Sequence, residues 1–376
     1  MKLGLYIHVP FCRAKCAYCD FYSLPGRETD MDAYTDALCR QLDAFSPDAR
    51  EYSVDTVYIG GGTPSYLGAA RLVRILERVR RAYRVEQGAE ITLEANPDSV
   101  GTWFKELYRA GYNRVSLGMQ SADDAELKAV GRVHSAAQTA QAVDTVRRAG
   151  FDNLSLDLIY GLPGQSAASW RHSVGTAVSY APEHISCYGL KVERGTPLYV
   201  RRDALSLPDD DAQADCYLWA VDALSGHGFG QYEISNFARP GRASRHNLKY
   251  WTLGAYMGFG TGAHSDFAGV RYAWARDLRG FITSGWTRTD AVRVSERERR
   301  REWLMLGLRT TTGLSETDCQ CRFGRSLDAF TPFFERCMGA GYAVRRPGGF
   351  ALTPQGFLVS NQIIGQVLEL AEEHDF

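Results

Sequence analysis

The segment LYIHVPFCRAKCAYC, residues 5–19, joins a strand-forming run to three closely spaced cysteines. LYIHV (5–9) is rich in strand formers and ends at a proline, after which Cys12, Cys16 and Cys19 follow with C-x3-C-x2-C spacing. In parallel α/β folds, ligands gather at the loops that follow the strands. The segment therefore predicts a first strand that leads into a ligand-binding cysteine loop.

The same strand-then-loop pattern repeats through the first half of the chain. Six runs have strand-forming character: LYIHV (5–9), TVYIGGG (56–62), EITLEA (90–95), RVSLGMQ (114–120), NLSLDLIYG (153–161) and HISCYGLKV (184–192). Helical patterns separate these runs: residues 32–44, 69–84, 100–111, 123–130, 135–149 and 166–180. Such alternation predicts βαβ units, a parallel sheet covered on both faces and an α/β fold that closes into an open or partial barrel.

The pattern changes in the second half, and this change predicts further units. We expect the barrel to occupy residues 1–225, a Gly- and aromatic-rich region with a short histidine motif to connect at 226–290, and a C-terminal domain to occupy 291–376. The last part combines short helices with a hairpin-like run about a Pro-Gly-Gly turn, GYAVRRPGGFALT (341–353). This combination predicts a small winged-helix-like α+β domain. Its acidic last helix favours a structural or docking role over contact with DNA phosphates.

The composition restricts the cellular setting and the partners. The formal net charge is −1, which argues against a nucleic-acid-coating protein or a polybasic membrane binder. No apolar run approaches the length of about 20 residues that a membrane span needs, and the first residues lack the apolar segment of a signal peptide. We therefore expect a cytoplasmic protein that is not itself a membrane protein. Six of the nine cysteines are scattered and are expected to be plain buried thiols: Cys39, Cys187, Cys216, Cys319, Cys321 and Cys337.

The other three cysteines have the spacing of an iron–sulfur ligand set. In a reducing compartment, clustered cysteines indicate metal binding rather than disulfides. A four-iron cluster normally takes four thiolates, so Cys12, Cys16 and Cys19 would leave one iron without a protein ligand. The amino and carboxylate groups of S-adenosylmethionine (SAM) suit that open iron. The alternative is a zinc site with His8 as fourth ligand, but the sequence has no second C-x2-C or H-x3-H pair.

A glycine run ends the second predicted strand, one strand away from the cysteine loop. Gly60-Gly61-Gly62-Thr63-Pro64 allows unusual backbone dihedrals and a close approach of the backbone to a ligand. Such a run is weak evidence when it stands alone. Next to the cysteines, its exposed amides and carbonyls are expected to bind the methionine end of SAM.

Four polar residues fall at the ends of neighbouring strands, on what should be the same rim of the barrel. Glu94 ends the third strand, Gln120 ends the fourth and Arg132 follows it. Asp157 lies inside the apolar fifth strand, where a carboxylate is costly unless it is paired, and Arg132 is an expected partner. Each residue taken singly is as consistent with a structural hydrogen bond as with a ligand contact. Together the four predict a site.

These motifs resemble those of one radical-SAM family. YIHVPFC, GGGTP, LEANP, RVSLGMQS, DLIYGLPGQ and the C-terminal ALTPQGF are similar to the family of oxygen-independent coproporphyrinogen III oxidase and the HemW-type haem chaperones, along essentially the whole chain. The resemblance implies a partial (βα)6 barrel, a [4Fe-4S] cluster on the three cysteines, and bound SAM. It implies SAM contacts at nine residues: Tyr6, Tyr18, Gly61, Gly62, Thr63, Glu94, Gln120, Arg132 and Asp157. Tyr18 stands where the oxidases usually have Phe.

Two features are similar to the chaperone branch of that family. The oxidases carry a further cysteine two residues after the third cluster ligand, and Phe21 occupies that position here. HNLKYW (246–251) resembles the HNxxYW signature of the chaperone branch, in which the histidine is a proposed haem ligand. The resemblance therefore implies haem binding by His246, with Tyr250 and Trp251 shaping the site. His264, in GTGAHS, is a second candidate for the haem ligand.

Three functions are consistent with these motifs. The first is a haem chaperone that carries haem to acceptor proteins, expected to be respiratory and membrane-bound, and that keeps a SAM-bound cluster. The second is an oxygen-independent coproporphyrinogen III oxidase, which decarboxylates two propionates with SAM-derived radicals. The third is a radical-SAM enzyme that acts on another substrate. The absent fourth cysteine favours the chaperone, and the near-neutral charge argues against a nucleic-acid partner in all three.

Overall fold

Six parallel strands form the centre of a twelve-stranded sheet in the computed structural model of the protein, which describes residues 1–374 and 376. The strands of the described chain are β1 (Lys2–Val9), β2 (Phe11–Cys12), β3 (Leu24–Pro25), β4 (Ser53–Gly61), β5 (Val85–Ala95), β6 (Arg114–Gln120), β7 (Leu154–Tyr160), β8 (His184–Gly189), β9 (Gly230–Gln231), β10 (Asn236–Ala238), β11 (Tyr256–Phe259), β12 (His264–Phe267), β13 (Val270–Trp274), β14 (Arg288–Arg293), β15 (Leu314–Ser315), β16 (Ala343–Arg346) and β17 (Gly349–Leu352).

The α-helices of the described chain are α1 (Met31–Phe45), α2 (Ala69–Ala82), α3 (Phe104–Ala110), α4 (Asp124–Ala129), α5 (Ala136–Ala149), α6 (Ala167–Ser179), α7 (Pro197–Arg201), α8 (Asp210–Gly226), α9 (Arg245–Trp251), α10 (Leu278–Thr283), α11 (Glu296–Gly307), α12 (Glu316–Phe323), α13 (Thr331–Gly339), α14 (Pro354–Leu358) and α15 (Ser360–Glu373). They agree with the periodicity of the sequence in the first half of the chain. The helical segment that follows Thr353 is divided into α14 and α15.

The central strands lie in the order β1-β4-β5-β6-β7-β8, and every neighbouring pair is parallel. β6 is buried along its whole length, as expected for a strand that is covered on both faces. Helix α2 packs its apolar stripe, which includes Leu72, Ile75 and Val79, into the core. The predicted α/β fold with a partial (βα)6 barrel is confirmed. All six carboxyl ends therefore meet at one rim, which is where the predicted ligands lie.

The Gly- and aromatic-rich region 226–290 extends this sheet at both edges. β10 and β9 add antiparallel strands beside β8, while β11 pairs in parallel with β1 and continues into β12, β13 and β14. Our expectation of a connecting region did not include these strands. They are two to six residues long and interrupted by glycines, so their alternation is too short to stand out in the sequence. They cover the edges of the central barrel, which would otherwise be unpaired.

The C-terminal residues form a small α+β unit, as predicted. Helices α11 to α15 surround the three-stranded sheet β15-β17-β16 and share a core that includes Trp303, Phe330, Phe334 and Phe350. Asp266 of β12 ties this unit to the large sheet, because it accepts two hydrogen bonds from Arg299 of α11, at 2.7 and 2.9 Å. Within the described part of the chain, none of the helices combines the length and apolarity needed to cross a membrane.

Candidate functional site

The cysteine loop follows β1 and lies on the rim formed by the carboxyl ends of the strands. The Thr63 hydroxyl donates to the Cys12 sulfur at 3.4 Å, and Arg132 donates to the Cys16 sulfur at 3.5 Å. Burial raises the pKa of the Cys12 and Cys19 thiols. A bound metal would offset this cost, because its positive charge stabilises the thiolate form.

The three cysteines do not converge on one point. Among residues 1–374 and 376, no group of three His, Cys, Asp or Glu side chains is arranged to hold a single metal ion. In addition, the two ring nitrogens of His8 bond the Tyr6 hydroxyl and the Tyr22 carbonyl, at 3.0 and 2.8 Å. Three thiolates of a four-iron cluster each bind a different iron, so they need not converge.

The glycine run at the end of β4 is built against the cysteine loop. A Cβ on Gly62 would lie 2.7 Å from the Phe11 carbonyl oxygen and 2.9 Å from the Cys12 sulfur. Gly61 has a φ of +116°, which favours glycine, and its amide donates to Glu94 Oε2 at 3.0 Å. The turn therefore fits a ligand that needs close backbone approach beside the three sulfurs.

A chain of hydrogen bonds encloses the cysteine loop on its other side. Asn96 donates to the Thr63 hydroxyl at 3.0 Å, and Arg132 donates to the Asn96 side-chain oxygen at 2.8 Å. Gln120 adopts a φ of 64°, unusual for a residue with a side chain, and its amide reaches the space above Gly118. Asn96 was not among the predicted site residues. Its signal was present in LEANP, because residues two apart on an extended strand share a face with Glu94.

Glu94 and Asp157 place two carboxylates inside the barrel. Glu94 accepts hydrogen bonds from the Tyr58 hydroxyl at 2.7 Å and from the Gly61 amide. Asp157 accepts from Ser116 and Ser186 at 3.1 and 2.8 Å. The ion pair expected between Asp157 and Arg132 is absent, and neither carboxylate has a cationic partner within 4 Å among the described residues. Arg132 instead bonds the Gly118 carbonyl, at 2.8 Å.

The electrostatics of these carboxylates fit a cationic ligand. Burial raises the pKa of Glu94 to about 7 and also raises the pKa of Asp157. Two enclosed carboxylates without an ion-pair partner are costly even with the buried Arg114 charge nearby, and a bound positive charge would lower that cost. The ammonium and sulfonium groups of SAM are such charges. The donor set, the glycine cradle and the unpaired carboxylates therefore fit a SAM-bound four-iron cluster.

Two tyrosines predicted at this site lie on either side of it. The Tyr6 ring stacks on Tyr58, with 6.2 Å between the centroids. Tyr18 lies in the cysteine loop and packs against the small cluster of Val130, Ile159 and Leu162. Tyr58 was not predicted, although it carries the hydrogen bond that orients Glu94.

The predicted haem ligand His246 lies inside the amino end of the barrel. Its Nδ1 bonds the Thr56 hydroxyl at 2.9 Å, its Nε2 bonds the Tyr250 hydroxyl at 2.8 Å, and the residue is 1% exposed. The ring also stacks on Tyr58, at 5.1 Å between centroids. Burial lowers the pKa of His246 to about 3. In this conformation neither nitrogen is free for a haem iron. Trp251 is partly buried and forms no ring pair with this group in the described chain.

The second predicted haem candidate, His264, is in a different environment. It begins β12, it is exposed, and its ring has no hydrogen-bond partner among the described residues. Five of the six scattered cysteines are buried, as predicted for plain thiols, whereas Cys321 is exposed on α12.

Comparison with known proteins places this geometry in a family. A model described as the Radical SAM superfamily matches residues 6–176, and a model of the HemN C-terminal domain matches residues 294–359. The protein named heme chaperone HemW of Bacillus subtilis (strain 168) is 36% identical over 372 residues, which cover 96% of this chain and 98% of that protein. The chain belongs to the HemW family. The HemW of Escherichia coli (strain K12) is 34% identical over 370 residues, which cover 96% of this chain and 97% of that protein.

The HemW assignment agrees with the fold. A solved structure of coproporphyrinogen III oxidase (HemN) from Escherichia coli, a radical SAM enzyme, superposes with a TM-score of 0.81 at 21% identity and covers 96% of this chain and 89% of that one. At that identity the superposition shows a shared fold. Membership of the radical SAM superfamily implies a four-iron cluster and SAM, and the name of the HemW relatives implies haem binding.

Proposed function

We propose that this protein is a haem chaperone: it binds haem and transfers it to an acceptor haem protein while it carries a SAM-bound four-iron cluster. The observation that carries the proposal is the similarity to HemW chaperones over 96% of the chain. The cysteine loop, the glycine turn and the unpaired carboxylates support the cluster and SAM. We further propose a cytoplasmic location and a respiratory, membrane-bound acceptor.

The proposal assigns roles to the residues of the rim. Cys12, Cys16 and Cys19 bind three irons of the cluster. The Glu94 carboxylate pairs with the SAM ammonium, and its orientation is held by Tyr58. The remaining SAM contacts are assigned to Tyr6, Tyr18, Gly61, Gly62, Thr63, Gln120, Arg132 and Asp157.

Each of these groups acts through position and charge. Arg132 lies between Cys16 and Gly118 and offers its guanidinium to an anionic group such as the SAM carboxylate. Asp157 is held by serines and would offer its carboxylate to the sulfonium. When bound, the reduced cluster supplies the electron that can split a sulfonium and release a carbon radical.

The second candidate function is coproporphyrinogen oxidation, which the shared HemN fold supports. Phe21 favours the chaperone, because it occupies the position of the further cysteine of the oxidases and is 63% exposed beside the cluster loop. A direct test is anaerobic incubation of the cluster-loaded protein with SAM, a reductant and coproporphyrinogen III, followed by mass spectrometry. We expect no decarboxylated product while an authentic oxidase is active in parallel. Stoichiometric or faster product formation would make the protein an oxidase.

A further inference from the structure

The inner face of the sheet continues beyond β1 onto β11 and β12, and His264 lies at the start of β12 on this face. Tyr256 of β11 pairs in register with Gly4 of β1 and with Asp266 of β12, so these residues share one face of the sheet. A Cβ on Gly4 would lie 3.2 Å from His246, which identifies this face as the barrel interior. His264 is two residues from Asp266 and therefore points to the same side.

His264 differs from the other histidines in combining an exposed ring with a backbone that is fixed in a strand. His8, His134, His184 and His246 are buried, and each has at least one ring nitrogen in a hydrogen bond. His172, His227 and His374 are exposed but lie on, or directly after, the helices α6, α8 and α15. Of the exposed histidines, His264 alone is on a strand, where the backbone is fixed by pairing with Ala273. An accessible imidazole on a rigid element is the group that an axial haem ligand requires.

Groups that suit the rest of a haem lie around Gly262, two residues before His264. A Cβ on Gly262 would lie 3.4 Å from both Arg276 Cγ and Tyr22 Cβ, so these two side chains meet two residues before His264. Arg276 is exposed and has no ion pair among the described residues. Phe21, adjacent to Tyr22, is 63% exposed. Haem is a flat apolar ring with two propionates, which matches an exposed aromatic ring and an unpaired guanidinium.

The charge state of His264 also suits iron. Partial burial and the nearby Arg276 charge lower the pKa of His264, so the ring is neutral near pH 7 and keeps a lone pair for a metal. The lone pair of the His246 ring is already occupied in this conformation, because both ring nitrogens form hydrogen bonds, with the Thr56 and Tyr250 hydroxyls.

We propose that His264 would ligate the haem iron, that Arg276 would pair with a haem propionate, and that Phe21 would contact the apolar ring. In this arrangement His246 fills the amino end of the barrel and positions Tyr58 behind Glu94. The proposal rests on the proposed function, because it names the site through which a haem chaperone would hold its cargo.

This site would lie beside the cluster loop. Tyr22 follows Cys19 by three residues, and its carbonyl bonds His8 at 2.8 Å. A Cβ on Gly61 would lie 2.6 Å from the His8 ring, so His8 lies between Tyr22 and the glycine turn.

The test is a haem titration of the intact, cluster-loaded protein, followed through the Soret absorbance. Loss of an outer-shell partner alone lowers metal affinity about 10- to 100-fold, so His264→Ala should weaken haem binding by at least roughly tenfold and change the spectrum. Added imidazole should restore the wild-type spectrum in His264→Gly. The exposed His172→Ala is the matched control and should bind haem as the wild type does.

Two further arms separate the outcomes. Arg276→Gln should weaken the binding of haem a few-fold, which is about the effect of one exposed ion pair. It should not change the binding of the dimethyl ester of haem, in which the propionates carry no charge. Unchanged affinity and spectrum in His264→Ala would overturn the His264 assignment and leave the haem-chaperone proposal intact. Absence of haem binding by the wild-type protein would instead refute the proposed function.

Discussion

Glu94→Gln tests whether the barrel carboxylate binds the SAM ammonium. Glutamine keeps the shape of the side chain, and its amide oxygen can still accept the hydrogen bond from the Gly61 amide, at 3.0 Å in the native structure. Its NH2 group can only donate, so the Tyr58 hydroxyl, which donates to Glu94 at 2.7 Å, would accept instead. The substitution therefore removes the negative charge and reverses one hydrogen bond. Hydrogen bonds to charged groups contribute about 1.5 to 3 kcal/mol, and this range corresponds to a roughly 10- to 150-fold weaker SAM affinity.

The assay is anaerobic equilibrium dialysis with labelled SAM, on protein whose iron content and cluster spectrum match those of the wild type. The matched control is Glu183→Gln. That carboxylate bonds Arg147 and the Leu154 amide at the amino ends of the strands, opposite to the cysteine loop, so SAM affinity should stay unchanged. If Glu94→Gln bound SAM as tightly as the wild type with its cluster intact, the assignment of the ammonium to Glu94 would be wrong.

Three further predictions concern the cluster and the buried histidines. Cys16→Ser should lower the iron content after anaerobic reconstitution; unchanged iron would contradict the cluster assignment. Gly62→Ala should impair cluster assembly, because its Cβ would lie 2.9 Å from a cysteine sulfur, whereas Gly88→Ala, with open space at its Cβ, should assemble normally. Burial lowers the folded-state pKa of His184 and His246. The unfolded chain therefore binds more protons than the folded chain as the pH falls below about 6.5, and stability falls with it. Each of these two histidines should lower the free energy of unfolding by about 1.4 kcal/mol at pH 5.5. Denaturation at pH 7.5 and at pH 5.5 should show this loss of stability, and the loss should be smaller in His246→Gln. An unchanged pH dependence in the folded variant would refute that reasoning.

The central barrel could be predicted because its strands are long and nearly continuous in apolar character. RVSLGMQ becomes β6, buried along its entire length, and NLSLDLIYG contains β7 with its single carboxylate directed to the interior. The added strands of region 226–290 could not be predicted. β11 joins the sheet only because it pairs with β1, about 250 residues earlier in the chain, and a four-residue run with one glycine carries no clear period.

The rim residues were predictable for the same reason, since strand ends in a parallel sheet converge. The environment of His246 was not. Its hydrogen-bond partner Thr56 is 190 residues away in sequence, and Tyr58, which covers its ring, is on the same strand as Thr56. The sequence motif identifies a histidine and an aromatic pair, but whether they face solvent or fill the barrel depends on how α9 docks against β4 and β5.

Haem transfer tests most directly whether the protein is a haem chaperone. Cluster-loaded protein carrying labelled haem is mixed with membrane vesicles that contain a haem-free respiratory cytochrome, and the label is followed into the cytochrome. Apomyoglobin in place of the vesicles measures passive loss of haem. We expect the cytochrome to acquire haem faster than apomyoglobin does. Transfer to the cytochrome that is no faster than transfer to apomyoglobin, or a failure of the protein to bind haem, would contradict the proposed function.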